Sequence, residues 1–192
     1  MRLFSRLFEY VMGWARHRHA GYYLAGLSFA ESSFFPVPPD VMLAPMSLAN
    51  PRRAWFYAAV TTLASVLGGI AGYLIGMLAF ELIEPYLHSF GYWDKYLLTR
   101  QWFTEWGLWV IFIAGFSPIP YKVFTISAGV IGMVFLPFVM ASFVGRGARF
   151  FLVAGLMRMG GEKMEGVLKK YIDRLGWLMV AVVVLGYFLL SE

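Results

Sequence analysis

Cysteine is absent from the chain, which removes a disulfide framework, a thiol nucleophile and a thiolate metal site together. Histidine is scarce: His17, His19 and His88 all lie in the flanks of apolar runs rather than inside them, and none forms a His–Glu metal motif. Ser32, Ser33 and Ser117 stand at breaks in those runs, but a serine nucleophile without an embedded histidine lacks its usual base. These absences argue against an enzyme and call for no cofactor and no metal.

Charge is the next scarcity. Asp, Glu, Lys and Arg make up 14% of the residues while 60% are hydrophobic, against about 25% charged in a soluble domain. The chain therefore reads as an integral membrane protein. Its formal net charge of +5 does not point to nucleic acid, because the basic residues flank hydrophobic runs instead of forming a patch among stacking aromatics. Aromatic residues, by contrast, are plentiful at 19%. They gather near the ends of the apolar runs, where side chains with one apolar and one wet end sit at headgroup level.

Along the chain, residues 1–18 set Leu3, Phe4, Leu7, Phe8, Val11 and Met12 at helical spacing among Arg2, Arg6, Glu9, Arg16 and Arg18. That pattern suits a helix lying in the interface. Arg6 and Glu9 interrupt the continuous apolar core a secretory signal needs. An apolar run over 22–49 is then broken by Glu31, Pro36, Pro38, Pro39 and Asp40. Each proline removes an amide donor and clashes with the carbonyl four residues back in a helix, so the helix must break. At membrane depth such a break is tolerated only where the freed carbonyls face protein or water. The half-helix before it has about 14 residues, or ~21 Å, too short for a ~30 Å hydrocarbon core. Residues 21–50 are thus expected to form a re-entrant hairpin.

Residues 54–80 carry no charge and are long enough to span. Gly68, Gly72 and Gly76 recur there every fourth residue, a face that lets another backbone approach closely. The partner is a helix of the same chain or of a second subunit, so a homo-oligomer stays open. Residues 81–106 read as an external amphipathic connection, partly helical. Residues 107–133 repeat the earlier theme, with a break at Ser117, Pro118, Pro120 and Lys122, and read as a second re-entrant hairpin. Pro137 opens a further span over 137–159, with Arg146 and Arg149 inside it. Residues 160–174 form a charged cytoplasmic loop, and 175–190 a last, short span.

The expected fold is an all-α polytopic membrane protein with two oppositely oriented re-entrant helical hairpins, about three spanning helices, an inverted repeat and an N-terminal interfacial helix. Counting basic residues in the short loops puts the N-terminus in the cytoplasm and the C-terminus outside. Both breaks carry Pro-x-Pro-x-charge, ending in Asp40 and in Lys122, so pseudo-symmetry brings an acid toward a base. A charge at membrane depth costs about 2.5–3.5 kcal/mol or more, which makes Glu31, Asp40, Lys122, Arg146 and Arg149 the candidate site residues. Glu31 is either a proton-carrying or gating group or a buried structural carboxylate. Arg146 and Arg149 share a helical face and suit a phosphate, which a guanidinium holds by two bonds, or they pair with Glu31 and Asp40. Asp40 and Lys122 are otherwise a structural pair pinning the two tips.

Phe29-Ala30-Glu31 with the proline-rich break to Asp40, then Gly68-x-x-x-Gly72-Tyr73-x-x-Gly76, then Gly115-Phe116-Ser117-Pro118-Ile119-Pro120-Tyr121-Lys122 leading into Ala128-Gly129 and Met133, resemble the DedA family. This is the bacterial branch of the VTT, or SNARE-associated, domain group, and the likeness is to its YqaA-like members. The resemblance covers about residues 20–160 and implies two facing re-entrant hairpins in the inner membrane. It also implies translocation of phospholipid or polyprenyl phosphate with dependence on the proton gradient. Glu31 and Asp40 stand where the family has its membrane-embedded acidic pair. The second hairpin departs: Gly115 replaces an arginine before Phe-x-Pro, and Tyr121-Lys122 replaces a second arginine. Lysine binds phosphate as a point charge rather than a fork.

The functional expectation is a membrane lipid or lipid-phosphate translocase, with or without proton coupling. In it, Glu31 and Asp40 exchange protons while Lys122, Arg146 and Arg149 hold the headgroup phosphate. A proton-coupled antiporter of small ions or drugs and a non-transporting membrane organiser are the alternatives.

Overall fold

The computed structural model describes residues 19–33, 38–117 and 120–160. The expected interfacial helix at 1–18, the loop and span beyond 160, and the break prolines Pro36 and Pro118 lie outside the described residues. The described secondary structure is entirely helical. Helix α1 covers Ala20–Ser33 and α2 Asp40–Ala49, and a short 3₁₀ turn at Pro51–Arg53 leads into α3, Ala54–Ser89. Helix α4 covers Trp93–Phe116, α5 Tyr121–Ile131, and α6 Phe135–Gly160. Two stretches, Pro51–Ser89 and Phe135–Gly160, are long and apolar enough to cross a membrane.

Both interruptions fall where the prolines stand: α1 ends at Ser33 and α2 begins at Asp40, while α4 ends at Phe116 and α5 begins at Tyr121. With 14, 10 and 11 residues, α1, α2 and α5 are about 21, 15 and 16 Å long at 1.5 Å per residue. A further proline, Pro45, is taken up inside α2.

The structure is more continuous than the charge pattern between 81 and 106 suggests. Helix α3 runs past the apolar stretch to Ser89, and a tight turn at 90–92 leads directly into α4, whose charged first half and apolar second half are one helix. Gly91, with φ of 71°, makes that turn possible because only glycine adopts it without strain. His88 stacks on Trp93 at 3.9 Å and Phe80 on Tyr96 at 5.1 Å, so the aromatics clasp the two helices together at the turn. At the end of α5, Gly132 is left-handed (φ 70°) and the Met133 amide donates to the Ala128 carbonyl at 2.9 Å, a Schellman-type stop. Pro137 lies in the first turn of α6, where its missing donor is harmless.

The glycine face of α3 is filled from within the chain. A Cβ on Gly68 would stand 2.3 Å from the Phe29 carbonyl oxygen of α1, and one on Gly76 would stand 2.0 Å from the Ile126 oxygen of α5. Between them, Gly72 faces Thr125 and the Ser32 carbonyl. The backbones of α1 and α5 are thus laid directly on α3, the close approach small residues allow. Between the same-chain and second-subunit alternatives, the contacts answer for the same chain.

Two apolar clusters lie toward opposite ends of the α3–α6 pair. One joins Leu24 of α1 and Leu43 and Met46 of α2 to Tyr57 at the start of α3 and Phe150 late in α6. The other joins Ile111 of α4 and Tyr121 and Ile131 of α5 to Tyr73 farther along α3 and Phe138 at the start of α6. The α1–α2 segment and the α4–α5 segment therefore pack at different levels, and their broken ends meet between the clusters.

Candidate functional site

Each break presents polar groups to the middle of the bundle, and α6 supplies two arginines three residues apart to meet them. Glu31 sits in the last turn of α1 and Asp40 opens α2, where a carboxylate also complements the helix dipole. The six-residue gap between the helices thus carries one acid on each shore. Arg146 Nη2 donates to Glu31 Oε2 at 2.6 Å, and Arg149 Nη2 donates to Asp40 Oδ2 at 2.5 Å.

Arg146 is enclosed, with 2% of its side chain exposed against 12% for Glu31. Its Nε donates to Ser65 Oγ of α3 at 2.6 Å and its Nη2 also reaches Ser32 Oγ at 3.1 Å. Ser32 and Ser65 share a 2.7 Å hydrogen bond, and Ser32 donates to Glu31 Oε2 at 3.0 Å. The guanidinium lies over the rings of Tyr121, at 4.9 Å, and Phe150, at 4.7 Å, a cation–π setting. Tyr121 in turn donates its hydroxyl to Ser142. Gly115 leaves room for this arrangement: a Cβ there would stand 3.3 Å from Arg146 N and 3.5 Å from its Cγ.

Arg149 is more open. Its side chain is 17% exposed and that of Asp40 24%. Nη1 of Arg149 donates to the Ser117 carbonyl at 2.5 Å, at the end of α4. Ser117 caps α4 in an extended conformation (ψ 157°), which takes its carbonyl out of the intrahelical ladder, and the guanidinium satisfies it instead. One arm of Arg149 therefore holds the second break while the other holds the acid that follows the first. The remaining carboxylate oxygen, Asp40 Oδ1, is buried and has no hydrogen-bond partner among the described residues.

Of the predicted residues, Glu31, Asp40, Arg146 and Arg149 come together. Lys122 is half-buried in the first turn of α5, next to Tyr121. The repeated motif sets Asp40 against Lys122, whereas the arrangement found is the alternative in which the two arginines pair with the acids, Arg146 with Glu31 and Arg149 with Asp40. Ser65, Ser32, Tyr121 and the Ser117 carbonyl complete the site and were not marked as binding groups by the sequence. The signal was faint but present: Ser65 shares a helical face with Gly68 and Gly72 at spacings of three and seven, so the small-residue face already contained a hydroxyl. Among the described residues, no group of three or more His, Cys, Asp or Glu side chains is placed to hold a metal ion.

Two relatives align over the whole chain. It is 48% identical over 192 residues to an uncharacterized protein of Haemophilus influenzae, with all of both chains covered. It is 45% identical over 191 residues to an uncharacterized protein of Histophilus somni, again with complete coverage of both. The chain belongs to their family. No family model matches it, and no solved structure does.

Proposed function

We propose that the protein is a translocase of membrane lipid or lipid phosphate in the bacterial inner membrane, of the DedA type, with protons coupled through Glu31 and Asp40. In this reading α1–α2 and α4–α5 are re-entrant hairpins of an inverted repeat. They enter from opposite faces, with the N-terminus cytoplasmic and the C-terminus external. The shortness of α1, α2 and α5 supports it, since none reaches across a hydrocarbon core of about 30 Å. The two apolar clusters toward opposite ends of the α3–α6 pair support opposite entry. No catalytic role is proposed.

The single observation that carries the reading is Arg149, bonded at once to the carbonyl that closes α4 and to the carboxylate that opens α2. Discontinuous helices meeting near the midplane are where inverted-repeat transporters bind substrate. A cation at such a point suits a phosphate headgroup, with the tails left in lipid.

The test is reconstitution in liposomes with labelled phospholipid or polyprenyl phosphate, with and without an imposed pH gradient. Lipid movement above that of empty vesicles, lost in Glu31→Ala and Asp40→Ala and slowed when the gradient is collapsed, is expected. Movement equal to empty vesicles, or untouched by both substitutions, would sink the proposal.

A further inference from the structure

The two arginines differ in what a ligand could take from them. Arg146 Nε is bonded to Ser65 and its Nη2 to Glu31 and Ser32, its guanidinium lies over two rings, and 2% of its side chain is exposed. For an anion to replace Glu31 there, it would have to reach a guanidinium that is enclosed and already bonded to two serines. Arg149 needs no such disruption. Its Nη1 stays anchored on a neutral backbone carbonyl, and its Nη2 faces Asp40 across a partly exposed pair.

Asp40 is weakly held for a carboxylate at this depth. Arg149 is the hydrogen-bond partner of Oδ2, while Oδ1 is buried without one among the described residues. Carboxylate and phosphate oxygens both accept a charge-assisted hydrogen bond from a guanidinium N–H, so the single seat that Asp40 Oδ2 takes on Nη2 is a seat for a phosphate oxygen.

On this geometry, and resting on the translocase reading above, we propose that Arg149 is the anion contact of the site and that Asp40 is its built-in competitor. A phosphate oxyanion binds by exchanging with the Asp40 carboxylate on Nη2, while Nη1 remains on Ser117 and keeps the guanidinium aimed. Arg146 takes no part in the exchange. It holds Glu31, α3 and α6 in register so that Arg149 is presented at the junction. The site is thus closed by its own carboxylate when no ligand is present.

The exchange is read by binding, separately from transport. The full chain in maltoside micelles is titrated calorimetrically with dodecyl phosphate and, in a second arm, with inorganic phosphate. Asp40→Asn removes the competitor's charge and is expected to bind dodecyl phosphate about tenfold more tightly, the scale of one hydrogen bond to a charged group. Arg149→Gln is expected to bind at least about tenfold more weakly. Tight binding of dodecyl phosphate alone marks a lipid headgroup as the ligand, and equal binding of inorganic phosphate marks the free ion. An unchanged or weaker affinity in Asp40→Asn overturns the exchange, and that variant decides alone if Arg149→Gln does not fold. If affinity rises in Asp40→Asn but no lipid crosses liposomes, the exchange stands and the translocase reading falls. If lipid crosses while affinity is indifferent to Asp40→Asn, the reverse holds.

Discussion

Arg146 and Arg149 lie on one face of α6, each facing an acid from the same broken segment, yet their surroundings assign them different work. Arg146 is sealed among Glu31, Ser32, Ser65 and two aromatic rings. Arg149 has a carbonyl on one arm and a half-satisfied carboxylate on the other, and both partners of its ion pair are partly exposed. A charge pair is costly to desolvate and contributes little net stability unless its remaining hydrogen bonds are made. The first pair is braced by Ser32 and Ser65 and suits a pin, whereas the second leaves a buried Asp40 oxygen without a partner among the described residues and suits a latch. Charges inside a helix long and apolar enough to cross a membrane are conventionally read as functional, and in Phe135–Gly160 that expectation applies more strongly to one of two otherwise similar arginines.

The sharpest way to break this comparison is Arg146→Met. It leaves Glu31 buried without its cation and Ser65 without its charged donor, and breaking a buried pair costs about 3–5 kcal/mol. We expect a severe loss of stability in denaturant titration of the micellar protein, larger than that of Arg149→Met. Adding Glu31→Gln should restore much of it, because removing both charges avoids the stranded carboxylate. Equal losses for the two methionine variants would show that pin and latch are not distinct.

Much of this arrangement can be read from the residues. Three closely set prolines and an acid cannot continue a membrane helix, and both breaks fall where Pro36 to Pro39 and Pro118 to Pro120 stand. The run Gly68, Gly72, Gly76 announces a close helix contact, because nothing else fits backbone against backbone. The identity of the partners was not legible. A four-residue period says that something approaches α3, but the seating of both α1 and α5 on it depends on how two distant segments fold back. Likewise Asp40 and Lys122 were matched by their place in a repeated motif. The pairing of arginines with acids was among the alternatives the residues offered, but which arginine meets which acid depends on how the broken segment packs against α6, and no motif position encodes that. The continuity of α3 and α4 across 81–106 was hidden for a different reason: charge marks where a helix leaves the apolar layer, not where it ends.

A second test sharpens the latch. Arg149→Gln keeps an amide donor at this position while removing the cation that faces Asp40. Because Asp40 is partly exposed and water can take up part of the loss, we expect about 2 kcal/mol of destabilisation with lipid movement in liposomes abolished. A variant as unstable as Arg146→Met, or one that still moves lipid at the normal rate, would remove the distinction between the pairs.

The smallest expected effect comes from Ser65→Ala. This hydroxyl accepts from Arg146 Nε at 2.6 Å and is bonded to Ser32 at 2.7 Å, so its removal strips one acceptor from the pin and leaves the latch untouched. Ser32 Oγ remains within reach of the guanidinium at 3.1 Å, which limits the damage to about 1 kcal/mol. Stability should fall by that amount in the same denaturant titration, while lipid movement per folded molecule and the affinity for dodecyl phosphate stay at wild-type values. Ser65 belongs to α3 and touches neither Asp40 nor Arg149 through any of its bonds. A change in affinity on removing it would therefore mean that the two arginines act as one unit, coupled along α6, rather than as a pin and a latch that work independently.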